Sequence, residues 1–158
     1  MKNGELHTLI DLLERSCLKF PENAYLWEKR EGGYRSVTYR QTRREVGDVA
    51  AGLLAGGLQK GDRVALLSEG CNDWVFAELG ILYAGGVNVP LSIKLTDKEL
   101  IFRVRHSGAR FLIVSDYYVA TLRRIEAELP EIEKIYVIRY SSAEEGKKTT
   151  RNVNGLSI

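Results

Sequence analysis

The feature that most constrains the fold is the alternation of short apolar runs with amphipathic segments across residues 61–115. Residues 63–68 (RVALLS) and 111–115 (FLIVS) are nearly continuous apolar runs, each too short for a typical helix. Strands of this kind are buried on both faces, as in a parallel sheet. Residues 87–90 (VNVP) supply a shorter strand between two helical patterns. We therefore predict an α/β fold with a mostly parallel sheet and helices on both of its faces.

The amino-terminal part predicts a helix followed by a β-hairpin. Thr8 precedes a helical apolar stripe, and Pro21 ends it. The stripe is expected to turn inward with Leu9, Leu12, Leu13 and Cys17. Residues 24–28 and 34–38 then alternate with period two around a Gly-Gly pair, which indicates a hairpin with one buried face.

A second helix follows the hairpin. Thr38 with Gln41 three residues later has the spacing of a capping box. The residues expected to face inward are Val46, Val49, Ala50, Leu53 and Leu54. Gly52 and Gly56 have small-xxx-small spacing, so we expect close packing against a neighbour at these glycines.

Three further helices are predicted to connect the strands. Asn72 or Asp73 is expected to cap the first, and Gly85 to end it in a left-handed conformation. Thr96 and Glu99 form the capping box of the second. The third is expected over residues 116–129, before a last strand at 135–138.

These elements give three parts. Residues 1–58 are expected to pack beside the main sheet, and residues 59–139 to form the parallel α/β unit. Residues 140–158 are polar and without periodicity, so we expect a loop or a frayed end.

Composition limits the classes of function. Hydrophobic residues make up 44% and charged residues 28% of the 158 residues, as in a globular protein. The formal charge of +2 gives no electrostatic footprint for nucleic acid, and no apolar run approaches the ~20 residues of a membrane span. The start of the sequence shows no apolar signal region, so we expect a cytoplasmic protein. Cys17 and Cys71 lack metal-ligand spacing and are expected to be buried, reduced thiols.

Local motifs provide no catalytic constellation. Residues 146–150 (GKKTT) resemble a phosphate loop only superficially, because Ser141 stands where the motif requires glycine. His106 is expected to stabilise a helix C-terminus and Asp62 to fix a turn. Trp74 could be exposed, lie at a contact between domains or fill the core, and its ring is more typical of core filling than of a ligand platform. Ser68 and Ser92 lack the context of a nucleophile elbow. We therefore assign no catalytic, cofactor-binding or metal-binding residue.

Several blocks together resemble the opening of the adenylate-forming (AMP-binding) ligases over about residues 8–138. The blocks are residues 37–40 (VTYR), 59–66 (QKGDRVAL), 79–90 (LGILYAGGVNVP), 95–100 (LTDKEL) and 106–113 (HSGARFLI). Residues 88–94 (NVPLSIK) are most similar to bacterial long-chain acyl-CoA synthetases.

This resemblance implies part of the large N-terminal domain of an acetyl-CoA synthetase-like enzyme. Such a ligase uses ATP and Mg²⁺ to convert a carboxylic acid, here expected to be a long-chain fatty acid, to an acyl-adenylate. It then transfers the acyl group to coenzyme A. The family's phosphate loop ending in Pro-Lys-Gly, its adenine, Mg²⁺ and ribose blocks and its C-terminal lysine are not found in these 158 residues. We therefore expect an N-terminal fragment that is inactive alone and whose partner is the remainder of the ligase.

Two other interpretations remain open at this stage. The chain could be a stand-alone flavodoxin-like binding module, or a protein-interaction module acting through a sheet edge or the Trp74 surface. A homodimer through an exposed sheet edge is a further expectation, although the pattern does not say which strand forms that edge.

Overall fold

The computed structural model describes residues 6–30 and 32–138. The helices are α1 (Leu9–Lys19), α2 (Tyr39–Ala55), α3 (Asn72–Tyr83), α4 (Asp97–Ser107) and α5 (Val119–Ile125). The strands are β1 (Ala24–Arg30), β2 (Gly33–Thr38), β3 (Arg63–Leu67), β4 (Val87–Pro90), β5 (Phe111–Ser115) and β6 (Lys134–Ile138). The loop or frayed end predicted for residues 140–158, and the residues 146–150 compared with a phosphate loop, lie outside the described residues.

Four strands form a parallel sheet in the order β4-β3-β5-β6. The chain passes from β3 to its outer neighbour β4, returns past β3 to β5, and then continues outward to β6. The strands β1 and β2 form a separate antiparallel hairpin. The α/β fold class, with its parallel sheet after an N-terminal helix and hairpin, is confirmed.

Alternate residues of the central strand pack against different helices. Val64 and Leu66 belong to a core cluster that also contains residues of α2 and α3. Ala65 and Leu67 belong to a second cluster with residues of α4 and α5. Because successive side chains of a strand point to opposite faces, the sheet has α2 and α3 on one face and α4 and α5 on the other.

A third cluster joins the amino-terminal segment to this layer. Leu13 and Cys17 of α1 pack with Val46 of α2 and with Phe76 and Leu79 of α3. The hairpin adds Leu26 and Val37, which are partly buried against the same cluster. The first helix and the hairpin therefore lie on the side of α2 and α3 away from the sheet.

The predicted inward faces of α1 and α2 are too wide. Leu9 and Leu12 of α1 are 60% and 49% exposed, and Leu54 of α2 is 52% exposed. A helix resting on one neighbouring layer covers only part of its apolar stripe, and sequence period does not tell which part.

Helix starts follow the sequence where a capping box is present. The boxes of Thr38 with Gln41 and of Thr96 with Glu99 form as predicted. The prediction for α3 is wrong, because the helix begins at Asn72 and Cys71 takes the N-cap position without a side-chain cap bond. The start lies one residue earlier than an Asn72 cap requires and two residues earlier than an Asp73 cap requires.

The predicted helix over 116–129 is broken into three pieces. A turn of 3₁₀-helix (Asp116–Tyr118) precedes α5, and another (Glu126–Glu128) follows it. Tighter turns are common at helix ends, and Pro130 disfavours the helical conformation at Leu129. Leu129 accordingly has φ −123° and ψ 52°.

Gly85 and Gly56 occupy positions that a larger residue would fit poorly. Gly85 has φ +82°, so the predicted left-handed residue after α3 is confirmed. Gly56 lies against the Tyr136 hydroxyl, whereas a Cβ on Gly52 would meet nothing within 4 Å. The prediction of close packing therefore holds for Gly56. At Gly52 only the carbonyl is in contact, accepting a hydrogen bond from the Tyr136 hydroxyl at 3.4 Å.

Candidate functional site

The carboxyl ends of β3 and β5 form the candidate site. These strands are neighbours, but the chain leaves β3 toward β4 and leaves β5 toward β6. Ligands of open α/β sheets bind outside the carboxyl ends of the strands at such a switch point. Binding groups are therefore expected in the loops after β3 and β5.

Two buried serines lie at this edge. The register pairs Leu67 with Val114, so Ser68 and Ser115 follow on neighbouring strands. Ser68 is 5% exposed, and its hydroxyl donates to the Glu69 carbonyl at 3.2 Å. Ser115 is 1% exposed, and its Oγ finds no hydrogen-bond partner among the described residues. Both hydroxyls lie below the surface, so neither is exposed to a ligand.

The groups nearer the surface are acidic. Residues 68–73 contain Glu69 and Asp73 but no lysine or arginine, and Asp116 follows β5. Burial first, and then the nearby Glu69 carboxylate, raise the pKa of the Tyr118 phenol above 10.0. Although α3 begins at this edge, the acidic side chains would repel a phosphate that its N-terminus could otherwise attract. The described residues that follow β3 and β5 therefore do not favour a phosphate group.

The two thiols are structural. Cys17 is buried as predicted, and its Sγ donates to the Tyr39 carbonyl at 3.3 Å, whereas Cys71 is only partly buried. Burial is the main cause that raises the pKa of both Cys17 and Cys71 above 9.0. Thiolates are the reactive form, so both residues are poor nucleophiles. No group of three or more potential metal ligands occurs in the described part of the chain.

The most extensive ionic contacts lie at the opposite, amino edge of the sheet. Arg110 Nη1 is 2.6 Å from Asp62 Oδ2, and Arg110 Nε is 2.7 Å from Glu133 Oε1. Asp62 Oδ2 also accepts the Gln59 N–H at 2.8 Å, which confirms its role in the turn before β3. Sequence reasoning missed Arg110 and Glu133, because nothing local links residues 23 positions apart.

These contacts favour the charged forms of Asp62 and Glu133. The Gln59 N–H first, and then Arg110, hold the pKa of Asp62 below its ordinary 3.8, against the opposing effect of burial. Arg110 likewise lowers the pKa of Glu133 from 4.5. Because its ion pairs join residues that precede three strands, Arg110 has a structural role.

The remaining residues considered in the sequence analysis make structural contacts. His106 lies in the last turn of α4 and stacks on Phe102 with ring centroids 5.5 Å apart. Trp74 is partly buried against the core cluster of α2 and α3. Ser92 lies in the loop after β4, where its Oγ accepts the Lys94 N–H at 3.2 Å. None of these contacts forms a nucleophile–base pair.

A cavity beneath α5 is too small for a substrate. Its volume is about 30 Å³, and its lining is formed by Leu112, Leu122, Glu126, Leu129, Ile132 and Ile135. Sites for small molecules typically enclose ~300–1,000 Å³.

Among the described residues, none of the helices has both the length and the apolar character that a membrane span requires.

The fold is a doubly wound α/β scaffold, and its described residues bring no catalytic constellation together. The profile of the AMP-binding enzyme family matches residues 13–155. The chain therefore belongs to the AMP-binding enzyme family.

Individual relatives agree with this assignment. A crotonobetaine/carnitine–CoA ligase from Citrobacter koseri is 30% identical over 107 residues, covering 68% of this chain and 21% of the ligase. The anthranilate CoA ligase AuaEII, solved with anthranoyl-AMP, superposes with a TM-score of 0.76 at 29% identity, covering 84% of this chain and 25% of that protein. The N-terminal subdomain of Klebsiella oxytoca NpsA, solved with anthranilyl-AMSN, gives 0.63 at 26% identity, covering 70% and 28%. The chain thus spans about a fifth of the first curated relative and about a quarter of these two solved chains.

Proposed function

We propose that this chain is the amino-terminal scaffold of an adenylate-forming acid–thiol ligase. The observation that carries the proposal is the family match over residues 13–155, together with superposition on the anthranilate CoA ligase. The match to a part of the NpsA N-terminal subdomain supports the amino-terminal position.

The proposed reaction of the whole ligase activates a carboxylic acid for thioester formation. A carboxylate oxygen attacks the α-phosphorus of ATP and displaces pyrophosphate, which gives an acyl-adenylate. The thiol of coenzyme A then displaces AMP from the acyl carbon. Mg²⁺ and cationic side chains stabilise the phosphate charge in such transfers.

The described residues do not fit the nucleotide part of this chemistry. The carboxyl edge presents Glu69, Asp73 and Asp116 where phosphates would need cations or unopposed N–H groups. Likewise, the described residues hold no cluster suited to Mg²⁺. The role proposed for this chain is therefore structural: its parallel sheet supports the remainder of the ligase, which is its proposed partner.

For the acid substrate we propose a long-chain fatty acid, because the sequence of residues 88–94 resembles bacterial long-chain acyl-CoA synthetases. The relatives are named for carnitine derivatives and for anthranilate, so the acyl-CoA or aryl-CoA class has broader support than chain length. The unpaired Cys17 and Cys71 fit a reducing compartment, which supports the proposed cytoplasmic location.

One observation favours a second candidate, a flavodoxin-like binding module. The strand order β4-β3-β5-β6 corresponds to the first four strands of the flavodoxin-like order. The acidic loop after β3 counts against a phosphate-bearing cofactor at that edge.

The coding sequence downstream of codon 158 distinguishes the candidates. We expect it to continue in frame into a Ser/Thr/Gly-rich loop ending in Pro-Lys-Gly. The longer product should release pyrophosphate from ATP only when a carboxylic acid is added. A stop codon at that point, with no such loop elsewhere in the gene, would favour the binding module.

A further inference from the structure

The outer layer of the amino-terminal segment carries half of the large apolar side chains that are exposed in the described chain. This outer layer is residues 9–38, in which α1 and the hairpin pack their inner sides against α2 and α3. Its most exposed large side chains are Leu9, Leu12, Leu18, Phe20, Trp27 and Tyr34. Single exposed apolar side chains are normal, but a concentration of them marks a binding surface.

The outward side of α1 combines leucine with cations. Cys17 faces the core, whereas its neighbour Leu18 is 74% exposed. Arg15 and Lys19 are exposed as well. Because residues three and four positions apart are neighbours on a helix, Arg15 lies beside both Leu18 and Lys19.

The outward side of the hairpin has a similar character. Leu26 and Val37 are paired in the register and pack inward against the cluster of α1, α2 and α3. Successive side chains of a strand alternate, so Trp27 and Tyr34 point outward. Lys29 is the register partner of Tyr34 and lies on the same side. This face therefore places two aromatic rings around an ammonium group.

The cations of this region exceed what its acids neutralise. Residues 9–44 contain eight Lys or Arg and five Asp or Glu, a net +3 in a chain whose formal charge is +2. The described acids are engaged: Asp11 accepts the Thr8 N–H, and Glu14, Glu22 and Glu28 pair with Arg43, Arg40 and Arg30. The exposed cations without an ion pair among the described residues are Arg15, Lys19, Lys29, Arg35 and Arg44.

We propose that the outer layer docks on the surface of a lipid bilayer that contains anionic lipids. Its apolar and aromatic side chains enter the interfacial region, while its unpaired cations bind the lipid phosphates. This is attachment to one leaflet and involves no membrane-spanning segment. The inference goes beyond the proposed ligase function and does not depend on it.

Two other occupants fit this surface less well. A nucleic acid would use the cations, but its phosphates gain nothing from Leu9, Leu12 and Leu18. A protein segment that covered the layer would have to remove unpaired cations from water, which is costly unless it supplies matching acids. A bilayer interface accepts apolar groups and cations together.

The test measures binding of the 158-residue chain to vesicles. The chain should cosediment with vesicles of phosphatidylcholine mixed with phosphatidylserine, and much less with phosphatidylcholine alone. Added NaCl should weaken the binding, because salt screens exposed charges. Trp27 is 62% exposed and Trp74 is partly buried, so a shift of tryptophan emission to shorter wavelength should report Trp27. In Trp27→Phe, binding should persist without that shift.

Matched double variants locate the cationic part of the surface. Arg15→Gln with Lys19→Gln should reduce the partition coefficient about 25-fold, at about fivefold for each cation. Lys98→Gln with Arg103→Gln removes the same charge from exposed positions of α4, on the opposite face of the sheet. This control should bind as well as the unmodified chain.

A second matched pair tests the aromatic part. Trp27 and Phe102 of α4 are similarly exposed, 62% and 65%. Trp27→Gln should weaken binding to the phosphatidylserine vesicles, and Phe102→Gln should not. Because all these side chains are exposed, the variants should retain the fold.

Four results would overturn the proposal. The first is no binding to phosphatidylserine vesicles at low salt. The second is equal weakening by the α1 and α4 double variants, which would indicate attraction by net charge alone. The third is binding by the 158-residue chain but not by the longer protein, which would show that the remainder covers the outer layer. The fourth is equally tight binding to poly(U) RNA that Trp27→Gln does not weaken.

Discussion

The guanidinium of Arg110 joins residues that precede three strands of the sheet. Asp62 lies just before β3, Arg110 just before β5 and Glu133 just before β6. Each carboxylate is stabilised in its charged form, so each contributes stability only while it is ionised. Asp62 has the more buried side chain, 14% exposed against 50% for Glu133, and the less screened contact.

The depressed pKa of Asp62 predicts an acid-dependent loss of stability. A carboxyl whose folded pKa is lowered stabilises the protein above its unfolded value of 3.8, and this contribution disappears as the pH falls through the folded pKa. In urea denaturation, Asp62→Asn should be less stable than wild type at pH 6, and the difference should shrink below pH 3.8. Asp48→Asn, on the exposed face of α2, is the control. A difference that persists unchanged at the lowest pH would contradict the role of this charge.

Leu66 tests the burial of the central strand. It is 0% exposed in the middle of β3 and packs in the α2–α3 core cluster. We expect Leu66→Ala to reduce the free energy of unfolding by about 2–5 kcal/mol, since truncation leaves a cavity. The same change at Leu54, which is 52% exposed, should cost less than about 0.5 kcal/mol. Equal losses for both variants in chemical denaturation would mean that β3 is misplaced.

At the scale of single elements, local signals predicted more than periodic ones. The capping boxes at Thr38 and Thr96 need only side chains three residues apart, so sequence is sufficient to find them. The exposure of Leu9 and Leu12 depends on how far α1 overlaps its neighbours, which is a tertiary property. The start of α3 was mistaken because no side-chain cap marks it.

Two helical glycines provide an opposite pair of predictions. A Cβ on Gly80 of α3 would overlap the side chain of Val49 in α2, whereas a Cβ on Gly52 would meet no atom. Gly80→Ala should therefore cost about 1–3 kcal/mol by overpacking. Gly52→Ala should stabilise by about 0.4–1 kcal/mol, because alanine restricts the unfolded chain and favours helix. Thermal and urea unfolding measure both changes; stabilisation by Gly80→Ala would show that the helices can move apart.

At the scale of the whole molecule, sequence predicted the sheet but not its edges. Continuous apolar runs such as residues 111–115 are typical of strands covered on both faces, so the parallel class followed directly. Strand order depends on which way each crossover turns, and the decisive contacts join residues far apart in the chain. The same limit applied to the site, because the meeting of Ser68 with Ser115 depends on the pairing of β3 with β5.

The whole chain is expected to be catalytically silent by itself. Phosphoryl chemistry depends almost entirely on positioning and electrostatic stabilisation of the nucleotide. The loops after β3 and β5 carry Glu69, Asp73 and Asp116. Arg110 lies at the opposite edge of the sheet, paired with Asp62 and Glu133. The 158-residue chain with ATP, Mg²⁺, coenzyme A and a panel of fatty and aromatic acids should therefore release no pyrophosphate above a protein-free blank.

The anthranilate CoA ligase AuaEII, assayed with anthranilate, is the positive control for this measurement of pyrophosphate release. Calorimetry should also show no ATP binding in the concentration range where that ligase is saturated. The Asp62→Asn variant, assayed in parallel, should be equally silent, since its carboxylate acts in the scaffold. Pyrophosphate release by the purified chain that requires an added carboxylic acid would contradict the scaffold role, because the chain would then hold a working nucleotide site.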